Sequence, residues 1–186
     1  MDTSVLYLIL TILTLSVALN LKLTFSLLNT MRNLVADRPF TPPIGEIVPE
    51  VKAKRLDTGE IITIPGSGQA TVCLFLSSTC PKCREKLPEL EKLLPLLPVA
   101  GLSMWLVSQE PKWRIKRFLK SNGLASVAVF VKNHAYKTLN PTQTSPFYLF
   151  TDHKSMLEAG GLIGDENWQS FLEQMDEVAS EIEATK

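Results

Sequence analysis

The sequence is short of the features that mark several large function classes. Basic and acidic side chains balance at 19 each, so the chain carries no net charge. It has no basic stripe with interleaved aromatics, which argues against nucleic acid as a partner. Cysteine is sparse: three residues cannot build a disulfide scaffold, and they read as one active pair plus one spare. The two histidines, His134 and His153, lack ligand spacing, and there is no second C-x-x-C. A zinc site is therefore disfavoured, and a copper site of the C-x-x-x-C plus histidine type does not match; no metal is expected. Pro65-Gly66-Ser67-Gly68 is a turn, too short and wrongly placed for a phosphate loop. Internal repeats and low-complexity tracts are absent.

Charge is also missing locally. Residues 4–21 contain none and are dominated by Leu, Ile, Val and Thr; Lys22 can snorkel, and the apolar character resumes through Leu28. About 20 apolar residues span a bilayer, so residues 1–28 read as a single transmembrane anchor. A cleaved signal peptide would need a shorter apolar run, a basic start and a small-residue cleavage site. An interfacial helix would need a polar face. A buried core helix fits poorly beside a complete domain. Orientation is contested within the sequence. Lys22, Arg32 and Arg38 follow the span and no Lys or Arg precedes it, which by the positive-inside rule puts the domain in the cytoplasm.

What is present is concentrated at Cys80-Pro81-Lys82-Cys83, just after the apolar run Thr71-Val72-Cys73-Leu74-Phe75-Leu76. A strand ending in C-x-x-C and running into a helical pattern is the layout of a dithiol/disulfide site. The helix start points free N–H groups and its positive dipole end at the first sulfur, which stabilises the attacking thiolate. Cys80 is the candidate nucleophile and Cys83, one turn in, the resolving thiol. Pro81 suits the first helical turn. Lys82 places a positive charge near the thiolate, with a solvated surface lysine as the plain alternative. Both are candidate redox-tuning residues. Cys73, inside the strand, is expected to be buried and inert.

The remaining elements follow from periodicity. Residues 29–43 read as a linker ending in Arg38-Pro39-Phe40-Thr41-Pro42-Pro43, and residues 44–186 as the folded domain. Residues 52–64 suggest two short strands around the turn Asp57-Thr58-Gly59. Strand 71–77 leads to helix 80–94, with Leu87, Leu90, Leu93 and Leu94 on one face and Pro88 expected to kink it. Strand 102–108 leads to helix 112–120, closed by Asn122-Gly123. Strand 127–131, a short helix at 134–139, strands 147–151 and 160–163, and helix 166–182 complete the pattern. That last helix turns Trp168, Phe171, Leu172, Met175 and Val178 inward. Trp105 and Trp113 are expected to pack in the core or at its edge. The order is that of an α/β domain, a mixed central sheet with helices on both faces.

These residues resemble the thioredoxin-like superfamily. Strand, C-x-x-C and helix come in its order; Thr144-Ser145-Pro146-Phe147-Tyr148-Leu149-Phe150 resembles its cis-proline loop; and the chain closes β-β-α. The opening stretch 44–49 and the hairpin extension resemble membrane-tethered, extracytoplasmic TlpA-type members. More narrowly, Phe75-Leu76-Ser77-Ser78-Thr79-Cys80-Pro81-Lys82-Cys83 followed by Leu87-Pro88, behind an N-terminal span, is similar to MauD-type methylamine utilization accessory proteins.

The resemblance implies a thioredoxin-like fold with an N-terminal β-hairpin extension and one transmembrane helix. It implies a protein thiol–disulfide oxidoreductase whose only redox group is the Cys80–Cys83 pair, without a separate cofactor. It implies a cis bond before Pro146 and a substrate-binding role for Ser145 and Pro146. Its implied partners are an exported disulfide-containing client, here the methylamine dehydrogenase small subunit, and a membrane redox protein that recycles the dithiol. Its implied place is the bacterial inner membrane, with the domain in the periplasm. Two departures stand out: Thr79 where many members have Trp, and Leu74 where thioredoxin has a buried acid that assists the second thiol. A non-catalytic chaperone holding a client in the same groove, and a heme or copper delivery accessory, remain as alternatives.

Overall fold

The computed structural model describes residues 3–36, 43–66, 68–120 and 123–184. The chain divides into two units, Met1–Pro39 and Phe40–Lys186. The first contains helix α1, Thr3–Ala36. Its segment Ile9–Ser26 has a mean hydropathy of 1.6 and is long and apolar enough to cross a membrane. Three of its threonines bond back to their own helix. Thr11 donates to the Tyr7 carbonyl, Thr14 to that of Leu10 at 3.0 Å and Thr24 to that of Asn20 at 2.9 Å. A hydroxyl that bonds its own helix needs no water. The helix runs past Leu28, correcting the expected start of the linker. Residues 29–36 contain no Gly or Pro, and extending an existing helix costs little once it is nucleated. The rest of the expected linker, 37–42, lies outside the described residues.

The second unit is built on a seven-stranded sheet. Its strands are β1 (Val51–Arg55), β2 (Ile61–Ile64), β3 (Ala70–Phe75), β4 (Leu102–Ser108), β5 (Ala128–Phe130), β6 (Phe147–Thr151) and β7 (Leu157–Leu162), in spatial order β2-β1-β5-β4-β3-β6-β7. The β3/β4 and β4/β5 pairs are parallel; β1/β2, β1/β5, β3/β6 and β6/β7 are antiparallel. The β1/β2 hairpin turns at Asp57-Thr58-Gly59, where Gly59 has φ +78°. The 44–49 stretch adds a bridge from Ile47 to Met156.

β3 lies inside the sheet and is buried on both faces. Because side chains alternate, Val72 and Leu74 enter one core while Cys73 and Phe75 enter the other. The first core is covered by α2 (Pro81–Leu93) through Leu87, Leu90 and Leu93, by α3 (Lys112–Phe118) through Ile115 and Phe118, and by α5 (Glu166–Ala184) through Trp168, Phe171 and Met175. The second is covered by α4 (Asn133–Leu139) through Tyr136 and Leu139. α2 continues across Pro88.

Two expectations need correction. α3 ends at Phe118, with Leu119 as its cap, and Gly123 opens a 3-10 turn, Gly123–Val127, instead of closing the helix. Residues 121–122 lie outside the described residues. Trp113 is 63% exposed, not packed. It precedes the buried Ile115 by two positions, which on a helix points it to the opposite side.

Candidate functional site

β3 delivers the chain to the carboxyl end of the sheet, and α2 starts just beyond it. Cys80 is the N-cap of α2, with extended φ/ψ of −87° and 117°, and Pro81 follows at the first helical position. The cap sulfur accepts the Cys83 N–H at 3.4 Å. An N-cap acceptor satisfies one of the helix's unpaired donors, and here a sulfur takes that place. Cys83 is fully buried, and its sulfur accepts the Ser77 N–H at 3.5 Å. All three cysteines are free thiols.

The two thiols of the pair are driven apart. Partial burial opposes ionisation of Cys80, but hydrogen bonds from the Cys83 thiol, the Cys83 N–H, the Ser145 side chain and the Lys82 N–H outweigh it, and the thiol lies below its ordinary range. Burial pushes Cys83 up to about 11, and the neighbouring Cys80 sulfur adds to the rise. Cys73 is pushed up to about 12 by burial. Cys80 is thus the thiolate former and Cys83 a thiol held in reserve. Lys82 acts on Cys80 through its backbone, while its side chain is exposed. The expected effect of its ammonium charge finds no counterpart in these interactions.

A pH profile of alkylation checks this separation. Only the thiolate alkylates, so a lowered pKa moves half-maximal reactivity to lower pH. Cys80 is expected to react with a midpoint below that of a free cysteine, and Cys83 only in strong alkali or after unfolding. In a Cys83→Ala protein the thiol donor is gone, and the Cys80 midpoint should rise.

The second wall of the site is the loop before β6. The Ser145–Pro146 peptide is cis, and the Cys80 thiol lies 3.7 Å from the Ser145 carbonyl oxygen. The structure therefore brings Cys80, Cys83, Ser145 and Pro146 to one place, with Pro81 and Lys82 on its rim. The loop is held by Asn140, which is fully buried. Its side-chain amide donates to the Thr144 carbonyl at 2.8 Å and its oxygen accepts the Thr144 N–H at 3.2 Å. Asn140→Ala would leave both backbone groups unpaired. A stability loss of about 1–3 kcal/mol is expected. Urea denaturation reads the loss, and a shift of the Cys80 alkylation midpoint reads the loosened loop.

The loop before Cys80 is held by Glu110. Its carboxylate accepts the Ser78 N–H at 2.9 Å and the Ser78 hydroxyl, and Arg114 lies 3.9 Å away. Glu110 lines a polar cleft of about 320 Å³ with Ser77, Thr79, Tyr136, Gln143 and Ser145. Burial raises Tyr136 to about 12, so its hydroxyl stays protonated beside the pair. Leu74 is fully buried in the core cluster that also contains Cys83. Glu110 and Asn140 were not singled out by the sequence. The available signal was position: Glu110 closely follows the carboxyl end of β4, where open α/β sheets gather functional groups.

The sequence matches no family model. Among curated proteins, the sporulation thiol-disulfide oxidoreductase A of Bacillus subtilis is 31% identical over 81 residues, 41% of this chain and 49% of its own length. The chain thus spans about half the length of that relative. Among solved structures, the thioredoxin domain of a thiol-disulfide oxidoreductase from Bacteroides vulgatus superposes with a TM-score of 0.61 at 17% identity, covering 73% of this chain and 99% of that one. StoA from Bacillus subtilis superposes with a TM-score of 0.53 at 24% identity, covering 62% and 88%. The second unit has the thioredoxin-like fold, a mixed sheet flanked by helices.

Proposed function

We propose that this chain is a membrane-anchored protein thiol–disulfide oxidoreductase that exchanges disulfides with an exported client. The observation that carries the reading is the split pair: a thiolate-forming Cys80 at the helix cap, its sulfur 3.7 Å from the Ser145 carbonyl oxygen, beside a protonated Cys83.

In the reducing direction the Cys80 thiolate attacks one sulfur of a client disulfide. A Cys80–client bond forms, the client S–S bond breaks, and the other client sulfur leaves as a thiolate. That thiolate takes the Cys83 proton, directly or through water, since Leu74 offers no acid–base group. The Cys83 thiolate then attacks the Cys80 sulfur, forming the Cys80–Cys83 disulfide and releasing the client dithiol. Two electrons pass from the pair to the client. Read backwards, the same steps oxidise a client. A lowered Cys80 pKa stabilises the dithiol and makes the disulfide form the better oxidant.

α1 has the length and composition of a single-pass anchor. Disulfides persist in oxidising compartments, so the domain faces the periplasm, against the charge bias of Lys22, Arg32 and Arg38. A membrane redox partner recycles the pair. The narrower reading makes the client the methylamine dehydrogenase small subunit. It is supported by the run Phe75 to Cys83, with Leu87-Pro88, behind the span.

Trapping tests the proposal. A Cys83→Ser variant is expressed in its native membrane, quenched in acid, alkylated and resolved on a non-reducing gel. A discrete Cys80 mixed disulfide with an exported protein is expected. Cys80 found free and alkylatable, with no adduct, would reject both exchange and the outward orientation.

A further inference from the structure

We propose that the groove between α2 and α3 docks an acidic segment of the client close to its reacting cysteine, an inference that rests on the exchange function above. Basic charge is concentrated here in a chain with none to spare. Residues 112–120 contain Lys112, Arg114, Lys116, Arg117 and Lys120 and no acid, interleaved with Trp113 and Phe118, a local basic run that corrects the expectation of none and that the zero net charge conceals. Arg114 and Arg117 from α3 and Arg84 from α2 line a groove of about 470 Å³, with Trp113 and Phe118 as its apolar part. The groove shares Ser78, Thr79 and Arg84 with the cleft that holds Cys80 and Pro81, so one continuous trough leads to the nucleophile.

The groove's cations are presented, not neutralised. The Arg84 guanidinium stacks over Phe118 at 5.5 Å and that of Arg114 over Trp113 at 5.3 Å. Stacking fixes the guanidinium plane and leaves its N–H edge for a carboxylate. Among the described residues neither Arg84 nor Arg117 makes an ion pair. Arg114 has only Glu110, at 3.9 Å, whose carboxylate already serves Ser78. Of the residues lining the groove and the Cys80 cleft, Glu85 in the cleft is acidic, and Glu110 stands behind Ser78 and Arg114. Exposed Trp113 supplies an anchor of the kind that dominates binding energy. The occupant is a peptide and not a lipid surface, because the cations line a concave trough ending at a nucleophilic sulfur. A bilayer would meet a convex patch.

The test uses the full chain in phosphatidylcholine nanodiscs and cystine peptides flanked by Asp/Glu, Ser/Gly or Lys. At low salt, exchange with the acidic peptide is expected to be about tenfold faster than with the neutral one, and the advantage should vanish at high salt. Arg117→Glu should abolish the preference and leave the rate with neutral 2-hydroxyethyl disulfide unchanged. Binding is read separately, by Trp113 fluorescence with a serine-for-cysteine acidic peptide, using Trp113→Phe as the blank. Saturable, salt-sensitive binding lost in Arg117→Glu supports docking even if no peptide exchanges, an outcome that would instead reject the exchange function. Equal rates for all peptides and no binding overturn docking while exchange stands. A Trp113 signal that responds only to phosphatidylglycerol nanodiscs assigns the groove to lipid and overturns it too.

Discussion

Replacing Cys80 with serine is expected to reduce disulfide exchange to the uncatalysed background while leaving the fold intact. Cys80 is the N-cap of α2, and serine is a good N-cap whose oxygen can accept the Cys83 N–H now held at 3.4 Å. Thermal stability should therefore barely move. The chemistry cannot survive, because a serine hydroxyl stays protonated where the thiol, drawn below its ordinary range by four hydrogen bonds, ionises. Insulin reduction and oxidative refolding of a scrambled substrate read the two directions. Retained activity in Cys80→Ser would overturn the exchange mechanism. A double Cys80→Ser, Cys83→Ser protein that still supports client maturation in the cell would replace it with a client-holding chaperone.

Much of the fold was legible because burial on two faces writes an apolar run that only a central strand can use. Thr71 to Leu76 gave β3, and C-x-x-C directly after it gave α2 and the nucleophile. The 3.6-residue spacing of Trp168, Phe171 and Met175 gave α5 in the same way. What periodicity does not encode is which polar residue meets which loop. Glu110 acts on Ser78 some 32 positions away, Asn140 bonds Thr144 only four positions on but inside an irregular loop, and neither forms a motif. The exposure of Trp113 was obscured for a related reason. α3 is short, its buried stripe is only Ile115 and Phe118, and a tryptophan beside them reads as core by residue type alone. The end of α1 was misplaced because the apolar run sets where a membrane span stops, not where a helix does.

Trp168→Ala is expected to produce a large stability loss, about 3–5 kcal/mol. The indole is fully buried at the centre of a ring cluster, 5.2 Å from Tyr148, 5.3 Å from Phe171 and stacked on Phe150 at 5.9 Å. Its N–H donates to Glu89 on α2 at 2.9 Å, so one side chain ties α5 to the helix that carries Cys80. Truncation leaves a cavity, and β6 and α5 cannot close over it without moving Tyr148, whose hydroxyl donates to Asp165 at 2.9 Å. Asp165 is itself fixed, since it also accepts the Trp168 backbone N–H and fits against the sheet only because Gly161 has no side chain: a Cβ there would lie 2.0 Å from its oxygen. Trp168→Phe keeps most of the packing and loses the bond to Glu89, so a cost nearer 1 kcal/mol is expected. Thermal denaturation followed by near-ultraviolet circular dichroism should show a fall in Tm on the order of 10 °C for the alanine variant. Below that transition the Cys80 alkylation midpoint should stay where it is in the parent chain, because the hydrogen bonds that set it come from Lys82, Cys83 and Ser145. A midpoint that rises along with the lost stability would mean that the ring cluster also positions the nucleophile.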